Sequence, residues 1–351
     1  MKTWQIKLNP LSSLFQGLPS SDTLFGAICW GIKRIYGETK LLEILKNLPK
    51  SPSFILSSSF PYLENSNNNL PLYPKPVSPG LFAPKSKKIS EDDKDKKEKV
   101  EVVTEYKKFK KIEYVSESIF KNLLDGIPEK ELFNNYQNKL LVIRDKTLLT
   151  KEEEEVFLPD PKDNIYKIES VQKNTIDRLA MSTGEEGQTF YQQEYFPSSR
   201  FKLHFLMKTN DINFFKPIFR YLEDKGIGGN RSTGKGRFEI EVLGELSIGN
   251  RDINKFVTLS KYIPDIEEIK DSKVSPIYYE ILPFRSKVDS EAEFKGEDIW
   301  KAKVMYLKEG SCFEVTEKKE FYGSLPVVKE IAGQKIYQNG IAFPIFGNFG
   351  G

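Results

Sequence analysis

Two β-α-β patterns, one at each end of the first 250 residues, constrain the fold of this chain more than any other feature. Apolar residues alternate along the expected strands and recur three or four positions apart along the expected helices. The first pattern has a strand over Thr3–Leu8, a helix from Ser20 to Gly37 and a strand over Ser53–Phe60 that Pro61 stops; the second has a strand over Arg200–Lys208, a helix over Asp211–Glu223 and a strand over Arg237–Val242. This order is that of a ferredoxin-like domain, in which four antiparallel strands carry two helices on one face, so the predicted class is α+β.

The interval between the two patterns predicts long insertions over residues 61–200 of a domain that spans residues 1–250. Residues 85–111 are crowded with Lys, Asp and Glu, so we expect a mobile, solvated segment there. A protruding hairpin is predicted at about residues 170–195, because strand-forming flanks enclose a small polar centre; an ordinary surface hairpin would look similar. Residues 251–351 predict a smaller β-rich domain. Its expected strands are Ile277–Leu282, Ala302–Leu307, Ser311–Val315 and Gly340–Ile345.

Composition limits the classes of function. No apolar run reaches the roughly 18 residues of a membrane span and the N-terminus lacks a signal-peptide pattern, so we expect a cytoplasmic protein that does not contact a membrane. The net charge of +3 is too small to attract nucleic acid over the whole surface, so any such site must be a local patch. Cys29 and Cys312 provide neither a disulfide framework nor a metal-ligand spacing, and no cofactor is expected.

The segment Gly226–Phe238, which we call the glycine loop, contains five glycines and the cations Arg231, Lys235 and Arg237. Glycine permits positive φ and close approach of the backbone to a ligand, and exposed N–H groups beside cations suit phosphate. The loop is therefore predicted to bind a polyanion. A plain turn, with Gly226 as a helix cap and solvated cations, is the alternative, although a cap needs only one glycine.

The glycine loop only partly matches a nucleotide-binding P-loop. From Gly229 to Lys235 the spacing is G-x-x-x-x-G-K, but Gly236 stands where a Ser or Thr would bind Mg²⁺. A P-loop also needs a strand before it and a helix after it, so that the helix N-terminus faces the phosphates. Here the predicted order is reversed, which argues against a nucleotide triphosphatase.

Several segments spread over nearly the whole chain carry a family resemblance. They are Pro19–Ala27, Phe60-Pro61-Tyr62, Tyr73–Pro76, Asn174–Arg178, the glycine loop and Gly340–Pro344. Together they resemble Csm-type members of the repeat-associated mysterious protein (RAMP) superfamily, and more narrowly the fourth-subunit group of type III-A CRISPR interference complexes. The resemblance implies tandem ferredoxin-like domains, similar to RNA-recognition domains, with a glycine loop and a thumb-like hairpin.

The resemblance further implies a non-catalytic subunit that anchors the 5′ handle of CRISPR RNA and caps the backbone of the complex. Its implied partners are CRISPR RNA, the large polymerase-domain subunit and the repeated backbone subunit. Cations and backbone amides would hold phosphates, while aromatic rings such as those of Phe15 and Tyr191 could stack on bases. The predicted RNA-binding residues are Gly228, Gly229, Asn230, Arg231, Ser232, Gly234, Lys235, Gly236 and Arg237 in the loop, Asn174, Thr175, Asp177, Arg178, Ser182 and Thr183 in the hairpin, and Phe15 and Ser21.

A metal-independent endoribonuclease is the alternative function, because related superfamily members process CRISPR RNA. Such cleavage needs a general base and acid, most often His, and His204 is the single histidine. It lies in an alternating strand, where a lone histidine is usually structural. The run Glu152–Glu155 does not assemble a Mg²⁺ site because its side chains diverge, and Asp22 is interpreted as a helix N-cap. A protein scaffold without RNA contact would leave the glycine loop unexplained.

Overall fold

The computed structural model describes residues 1–15, 17–78, 102–160, 162–174, 189–249, 252–288, 298–331 and 333–349, and these contain eight α-helices. The helices are α1 (Ser21–Tyr36), α2 (Glu38–Asn47), α3 (102–109), α4 (Glu117–Leu124), α5 (Glu129–Gln137), α6 (Lys151–Phe157), α7 (Ile212–Lys225) and α8 (Ile266–Lys270).

The strands of the N-terminal part are β1 (Lys2–Pro10), β2 (Leu14–Phe15), β3 (Phe54–Leu56), β4 (Phe60–Glu64), β5 (Asn69–Pro74), β6 (Tyr114–Ser116), β7 (Leu141–Arg144), β8 (Thr147–Thr150), β9 (Tyr166–Asn174), β10 (Thr189–Pro197), β11 (Phe201–Thr209) and β12 (Phe238–Glu245). Those of the C-terminal part are β13 (Lys255–Thr258), β14 (Val274–Tyr278), β15 (Ile281–Phe284), β16 (Val304–Leu307), β17 (Cys312–Val315), β18 (Tyr322–Ser324), β19 (Val327–Ile331), β20 (Gln334–Tyr337), β21 (Gly340–Ala342) and β22 (Pro344–Phe346).

The predicted ferredoxin-like sheet is confirmed. β1 pairs antiparallel with β12 on one side and with β11 on the other, and β11 pairs antiparallel with β3. The inward residues Ile6 and Leu8 of β1 are fully buried, as the alternation required. α1 and α7 pack against each other closely, because a Cβ on Gly31 would stand only 2.5 Å from Ile218 Cγ2. The two helices and four strands form the predicted α+β unit.

The strand predicted over Ser53–Phe60 is broken, and Pro61 does not end it. β3 and β4 both pair with β11, and Pro61 lies within β4 opposite Leu203. In the gap one half of the ladder passes through a side chain: the Ser57 N–H donates to the Leu206 carbonyl at 2.9 Å, and the Ser57 hydroxyl accepts from the Leu206 N–H at 2.8 Å. A proline removes one donor without ending a strand when the flanking residues stay paired. The strand pattern did not predict the break because it does not show that a serine hydroxyl can accept a backbone hydrogen bond in place of a carbonyl.

The insertion extends the main sheet. β4 continues through β5, β6, β8 and β7, which gives nine strands with β12, β1, β11 and β3. Of the charged segment predicted at 85–111, residues 79–101 lie outside the described residues. Residues 102–109 form α3 and bury Phe109 completely, so the prediction of a mobile, solvated segment is wrong for this part. Phe109 supplies the apolar anchor, since its ring contacts that of Phe133 in α5.

The C-terminal part repeats the same strand order. β14, β17, β13 and β22 lie side by side and are antiparallel, which is the order of β3, β11, β1 and β12 in the first sheet. α8 follows β13, which comes first along the chain, but no helix occurs within residues 316–331 and 333–343, where β18 to β21 lie instead. The strand predicted over Ile277–Leu282 is divided between β14 and β15. The tandem architecture implied by the family resemblance is confirmed, with a reduced second unit.

A buried ion pair joins the two units. Lys261 Nζ lies 2.8 Å from Asp22 Oδ1, and the two side chains are 8% and 5% exposed. The interpretation of Asp22 as the N-cap of α1 is wrong, because Ser20 holds that position and Asp22 lies in the first turn. The same ammonium group lies 4.1 Å from the centroid of the Phe284 ring, and Gln338 donates to Asp22 Oδ2 at 3.2 Å. The polar contacts fix the C-terminal unit against the start of α1.

Replacing Lys261 by Met should lower the free energy of unfolding by about 3–5 kcal/mol, because the buried Asp22 carboxylate loses its counter-charge. The matched control is Lys2→Met, which breaks an exposed ion pair with Glu245 and should cost less than about 1 kcal/mol. Chemical denaturation of both variants measures the difference. Equal, small losses in the two variants would show that the Asp22–Lys261 pair does not hold the units together.

Candidate nucleic-acid interface

The backbone of the glycine loop takes a shape that requires glycine. Gly226, Gly228, Gly234 and Gly236 have φ of 80°, 97°, 78° and 66°, and Asn230 has φ of 57°. At Gly236 the requirement is strict, because an added Cβ would stand 2.1 Å from the carbonyl oxygen of Ile227. The loop therefore folds tightly on itself between α7 and β12.

One edge of the loop is hydrogen-bonded to the protein and the other faces an open cleft. On the bonded edge, the Ile227 N–H donates to the Gly236 carbonyl at 2.8 Å, and the Gly236 N–H donates to the Ser13 carbonyl at 3.2 Å. On the open edge, the N–H groups of Gly228 and Gly229 make no hydrogen bond within the described part of the chain. Both glycines line the cleft, so these donors are available to an anion.

The cleft has a volume of about 2280 Å³ and lies between the two units. We call it the interdomain cleft. Its walls come from the glycine loop, the start of α1, the base of the β9–β10 hairpin, residues 110–114 of the insertion and residues 284–288 and 333–339 of the C-terminal unit. This volume exceeds that of a typical small-ligand pocket and has room for several units of a polymer.

Positive charge dominates the described lining of the interdomain cleft. Seven anionic side chains are set against twelve cationic ones, which are Lys33, Lys75, Lys110, Lys111, Lys146, Lys225, Arg231, Lys261, Lys287, Lys301, Lys308 and Lys335. The whole chain carries a net charge of only +3, so the cleft concentrates its cations. A concave positive surface focuses the field toward a polyanion.

Within the glycine loop, the predicted residues divide into two groups. Those that line the interdomain cleft are Gly228, Gly229, Asn230, Arg231, Ser232 and Gly236; those that do not are Gly234, Lys235 and Arg237. Lys235 is paired instead with the carboxylate of Glu194, at 2.6 Å. The predicted phosphate contacts of Lys235 and Arg237 stay predictions, while Arg231 has the favourable position.

Phe15 lies directly beside the glycine loop. A Cβ on Gly229 would stand 2.6 Å from Phe15 Cδ1, so the ring covers the backbone of Gly229. Phe15 also lines a smaller hollow of about 450 Å³ together with Phe190 and Tyr191, and Tyr191 is 68% exposed. Aromatic surface thus adjoins the free N–H groups, which is the combination that holds bases and phosphates of a single strand.

The stem of the predicted hairpin is confirmed. β9 and β10 pair antiparallel from Tyr166 opposite Pro197 to Asn174 opposite Thr189, and Asn174 is exposed at the end of β9. The hairpin residues Thr175, Asp177, Arg178, Ser182 and Thr183, which were expected to bind RNA, lie outside the described residues. β2 adds a third strand through Phe15 opposite Glu194, which brings the hairpin stem next to the glycine loop.

Burial argues against the RNA contact predicted for Ser21. The residue is 0% exposed, its hydroxyl accepts the Lys261 N–H at 3.1 Å, and its own N–H donates to Ser58 Oγ at 2.9 Å. Ser21 therefore belongs to the contact between the two units. The sequence shows that Ser21 follows the first loop, but it does not show that Lys261 of the C-terminal unit covers it.

His204 is buried in the main sheet, away from solvent. Nε2 donates to the Leu72 carbonyl at 2.8 Å, and Nδ1 accepts from Gln5 Nε2 at 3.2 Å. Burial lowers its pKa to about 4, against the opposing effect of the Leu72 hydrogen bond, so the ring is neutral. A catalytic acid or base must reach the 2′-OH of its substrate, which this ring cannot do. The described ranges also contain no cluster of His, Cys, Asp or Glu that would hold a metal ion.

The C-terminal and insertion lysines of the interdomain cleft were not predicted from the sequence. Lys287, Lys301 and Lys335 come from three separate segments, and Lys110 and Lys146 come from the insertion. No spacing rule links residues that only the tertiary fold brings together. The sequence shows the basic residues in the short segments of the C-terminal unit, but it does not show that they line the interdomain cleft.

Comparison with known proteins identifies the family. Residues 20–239, more than half of the chain, match the sequence model of the RAMP superfamily, and the chain belongs to that superfamily. The Csm4 protein of the CRISPR system of Methanocaldococcus jannaschii is 27% identical, over 90% of this chain and 82% of that protein.

Solved structures share the fold over the full length. A chain of a Csm3–Csm4 subcomplex from a type III-A CRISPR-Cas interference complex has a TM-score of 0.66 at 20% identity, covering 99% of this chain and 100% of that chain. A chain of a Csm1–Csm4 cassette in complex with cA4 has a TM-score of 0.59 at 19% identity, covering 99% of each chain. Within the described residues, none of the helices has the length and apolar character to span a bilayer.

Two alanine substitutions test the loop geometry. Gly236→Ala should destabilise the protein by more than about 3 kcal/mol, because the new Cβ overlaps the Ile227 carbonyl and backbone must move. Gly234→Ala should cost about 1–2 kcal/mol, since its φ is also positive but nothing lies within 4 Å of the added Cβ. Thermal and denaturant unfolding rank the two. The reverse ranking would show that Gly236 does not approach Ile227.

Stability should depend on pH in two separate windows. The pKa of His204 is lowered in the folded state, so its contribution is present above pH 6.5 and up to about 3 kcal/mol is lost as the pH falls from 6.5 to 4. Burial opposes ionisation of Glu194, but the adjacent ammonium groups of Lys173 and Lys235 and the hydrogen bond from Ser13 outweigh it and lower the pKa to about 2, so a second loss occurs between pH 4.5 and 2. Urea unfolding at successive pH values measures both, and His204→Gln should remove the first window only. A first window that persists in this variant would contradict the assignment.

Proposed function

We propose that this chain is the Csm4-type subunit of a type III-A CRISPR interference complex and anchors the 5′ handle of CRISPR RNA in the interdomain cleft. The observation that carries the proposal is the open edge of the glycine loop. The N–H groups of Gly228 and Gly229 make no hydrogen bond to any residue that the structure describes, and both glycines line, together with Phe15, a cleft of net positive charge. Backbone amides and cations bind phosphates irrespective of sequence, and aromatic rings accept any base.

The loop supports phosphate binding rather than a plain turn. A helix cap would use Gly226 alone, whereas four further glycines shape the segment. Gly228 and Gly229 line the cleft, and Gly236 allows the tight crossing beneath them. Because these glycines carry no side chains, a ligand can approach the backbone of the loop closely, as the polyanion hypothesis requires.

The partners follow from the relatives. Chains with this fold occur in a Csm3–Csm4 subcomplex and in a Csm1–Csm4 cassette. By that likeness, this chain would cap the backbone by contacting the repeated subunit, Csm3, and would contact the large polymerase-domain subunit, Csm1. It would work in the cytoplasm.

We further propose that the chain itself does not cleave RNA. The buried, neutral His204 supports this, because the single histidine of the chain cannot reach a substrate. Incubation of the isolated protein with repeat RNA and with target RNA tests the point: no cleavage is expected, and cleavage that His204→Ala abolishes would favour the ribonuclease instead.

Replacing Arg231 by Ala should weaken binding of repeat-derived RNA about tenfold, because one charge-assisted phosphate contact is lost. The slope of log affinity against log salt should fall by about one unit. Arg220→Ala is the matched control: Arg220 is exposed on α7 outside the cleft lining, so affinity and slope should stay at wild-type values.

Filter binding or fluorescence anisotropy at several salt concentrations gives both quantities, and copurification of short RNA with the assembled complex gives an independent readout. Equal affinities of Arg231→Ala, Arg220→Ala and wild type, or a complex that carries no RNA, would refute the anchoring role.

A further inference from the structure

A buried carboxylate connects the hairpin to the glycine loop. The side chain of Glu194, on β10, is 1% exposed, and its two oxygens contact ammonium groups from different elements. Oε1 lies 2.7 Å from Lys173 Nζ on β9, and Oε2 lies 2.6 Å from Lys235 Nζ in the glycine loop. The lysine side chains are 24% and 21% exposed, so solvent screens each ion pair only partly.

A third element completes the connection. Ser13, which precedes β2, donates its hydroxyl hydrogen to Glu194 Oε2 at 2.8 Å, and Lys235 Nζ donates to the same hydroxyl at 2.8 Å. The Ser13 carbonyl also accepts the Gly236 N–H at 3.2 Å. One carboxylate thus holds the hairpin stem, the segment before Phe15 and the bonded edge of the glycine loop in a fixed relation.

The arrangement would not survive loss of the negative charge. Without it, two ammonium groups would share a nearly buried site with no counter-ion, and mutual repulsion would drive them toward solvent. Lys173 would move with the hairpin and Lys235 with the loop. The hairpin stem would then keep its backbone pairing with β2 but lose its side-chain connection to the glycine loop, so the relative position of hairpin and loop would vary more.

We propose that Glu194 is a positioning residue that fixes the hairpin against the glycine loop, so that an RNA strand in the cleft meets both surfaces in one arrangement. The part that concerns RNA rests on the proposed function. The part that concerns the relation of hairpin and loop does not, because it follows from the ion pairs of the protein alone.

Spin labels measure that relation without RNA. Labels at Tyr191→Cys on the hairpin and Ser232→Cys in the loop, in a chain with Cys29 and Cys312 replaced by Ala, give a distance distribution by double electron–electron resonance. Glu194→Gln should broaden this distribution relative to the parent. Glu169→Gln is the matched control: Glu169 faces Glu194 across the hairpin but pairs with Lys167 at the surface, so its loss should leave the distribution unchanged.

An unchanged distribution in Glu194→Gln, with wild-type circular dichroism, would overturn the proposal. Should Glu194→Gln fail to fold, Lys235→Gln breaks the connection from the side of the glycine loop, while Glu194 keeps Lys173 as its counter-ion. The same broadening is then expected, and its absence is equally decisive.

RNA binding separates positioning from direct contact. In Glu194→Gln the affinity for repeat-derived RNA should fall about five- to tenfold, as expected for coupled residues, without a decrease in the salt slope, since no phosphate contact is removed. A slope lower by about one unit would show instead that a phosphate contact is lost. If the wild-type protein does not bind RNA, the proposed function fails while the distance measurement still decides the role of Glu194.

Discussion

The close approach of Gly236 to the Ile227 carbonyl is the constraint on which the rest of the site depends. It closes the glycine loop on itself and uses one edge of the backbone for internal hydrogen bonds. On the opposite edge, the N–H groups of Gly228 and Gly229 make no hydrogen bond within the described residues, and both glycines line the interdomain cleft. A loop with side chains at these positions could not turn so tightly, and it would cover the amides that a phosphate needs.

The two ferredoxin-like units together form the proposed binding site around this local surface. The first unit supplies the glycine loop and Phe15, and the second supplies the opposite wall with Lys287, Lys301 and Lys335. The buried pair of Asp22 and Lys261 links the two units beside the cleft. A concave, cationic surface that is formed before binding reduces the ordering cost of holding a flexible single strand.

Regular patterns made much of the fold predictable, and long-range contacts account for the failures. Alternation in β1 and helical spacing in α1 and α7 depend only on which face is buried, so their prediction was confirmed. The break at Ser57, the burial of Ser21 and the pairing of Lys235 with Glu194 each depend on a residue far away in the chain. The glycine loop was recognisable because backbone conformation is a local property, whereas the lysines that face it converge from separate segments.

Photo-crosslinking of the assembled complex tests the central claim most directly. CRISPR RNA that carries 4-thiouridine in its 5′ handle is irradiated within the complex, and mass spectrometry identifies the attached peptides of this chain. The account predicts adducts at Phe15 or within residues 228–232, where the free amides and the ring line the cleft. Adducts confined to residues outside the interdomain cleft, with none at either segment, would contradict it.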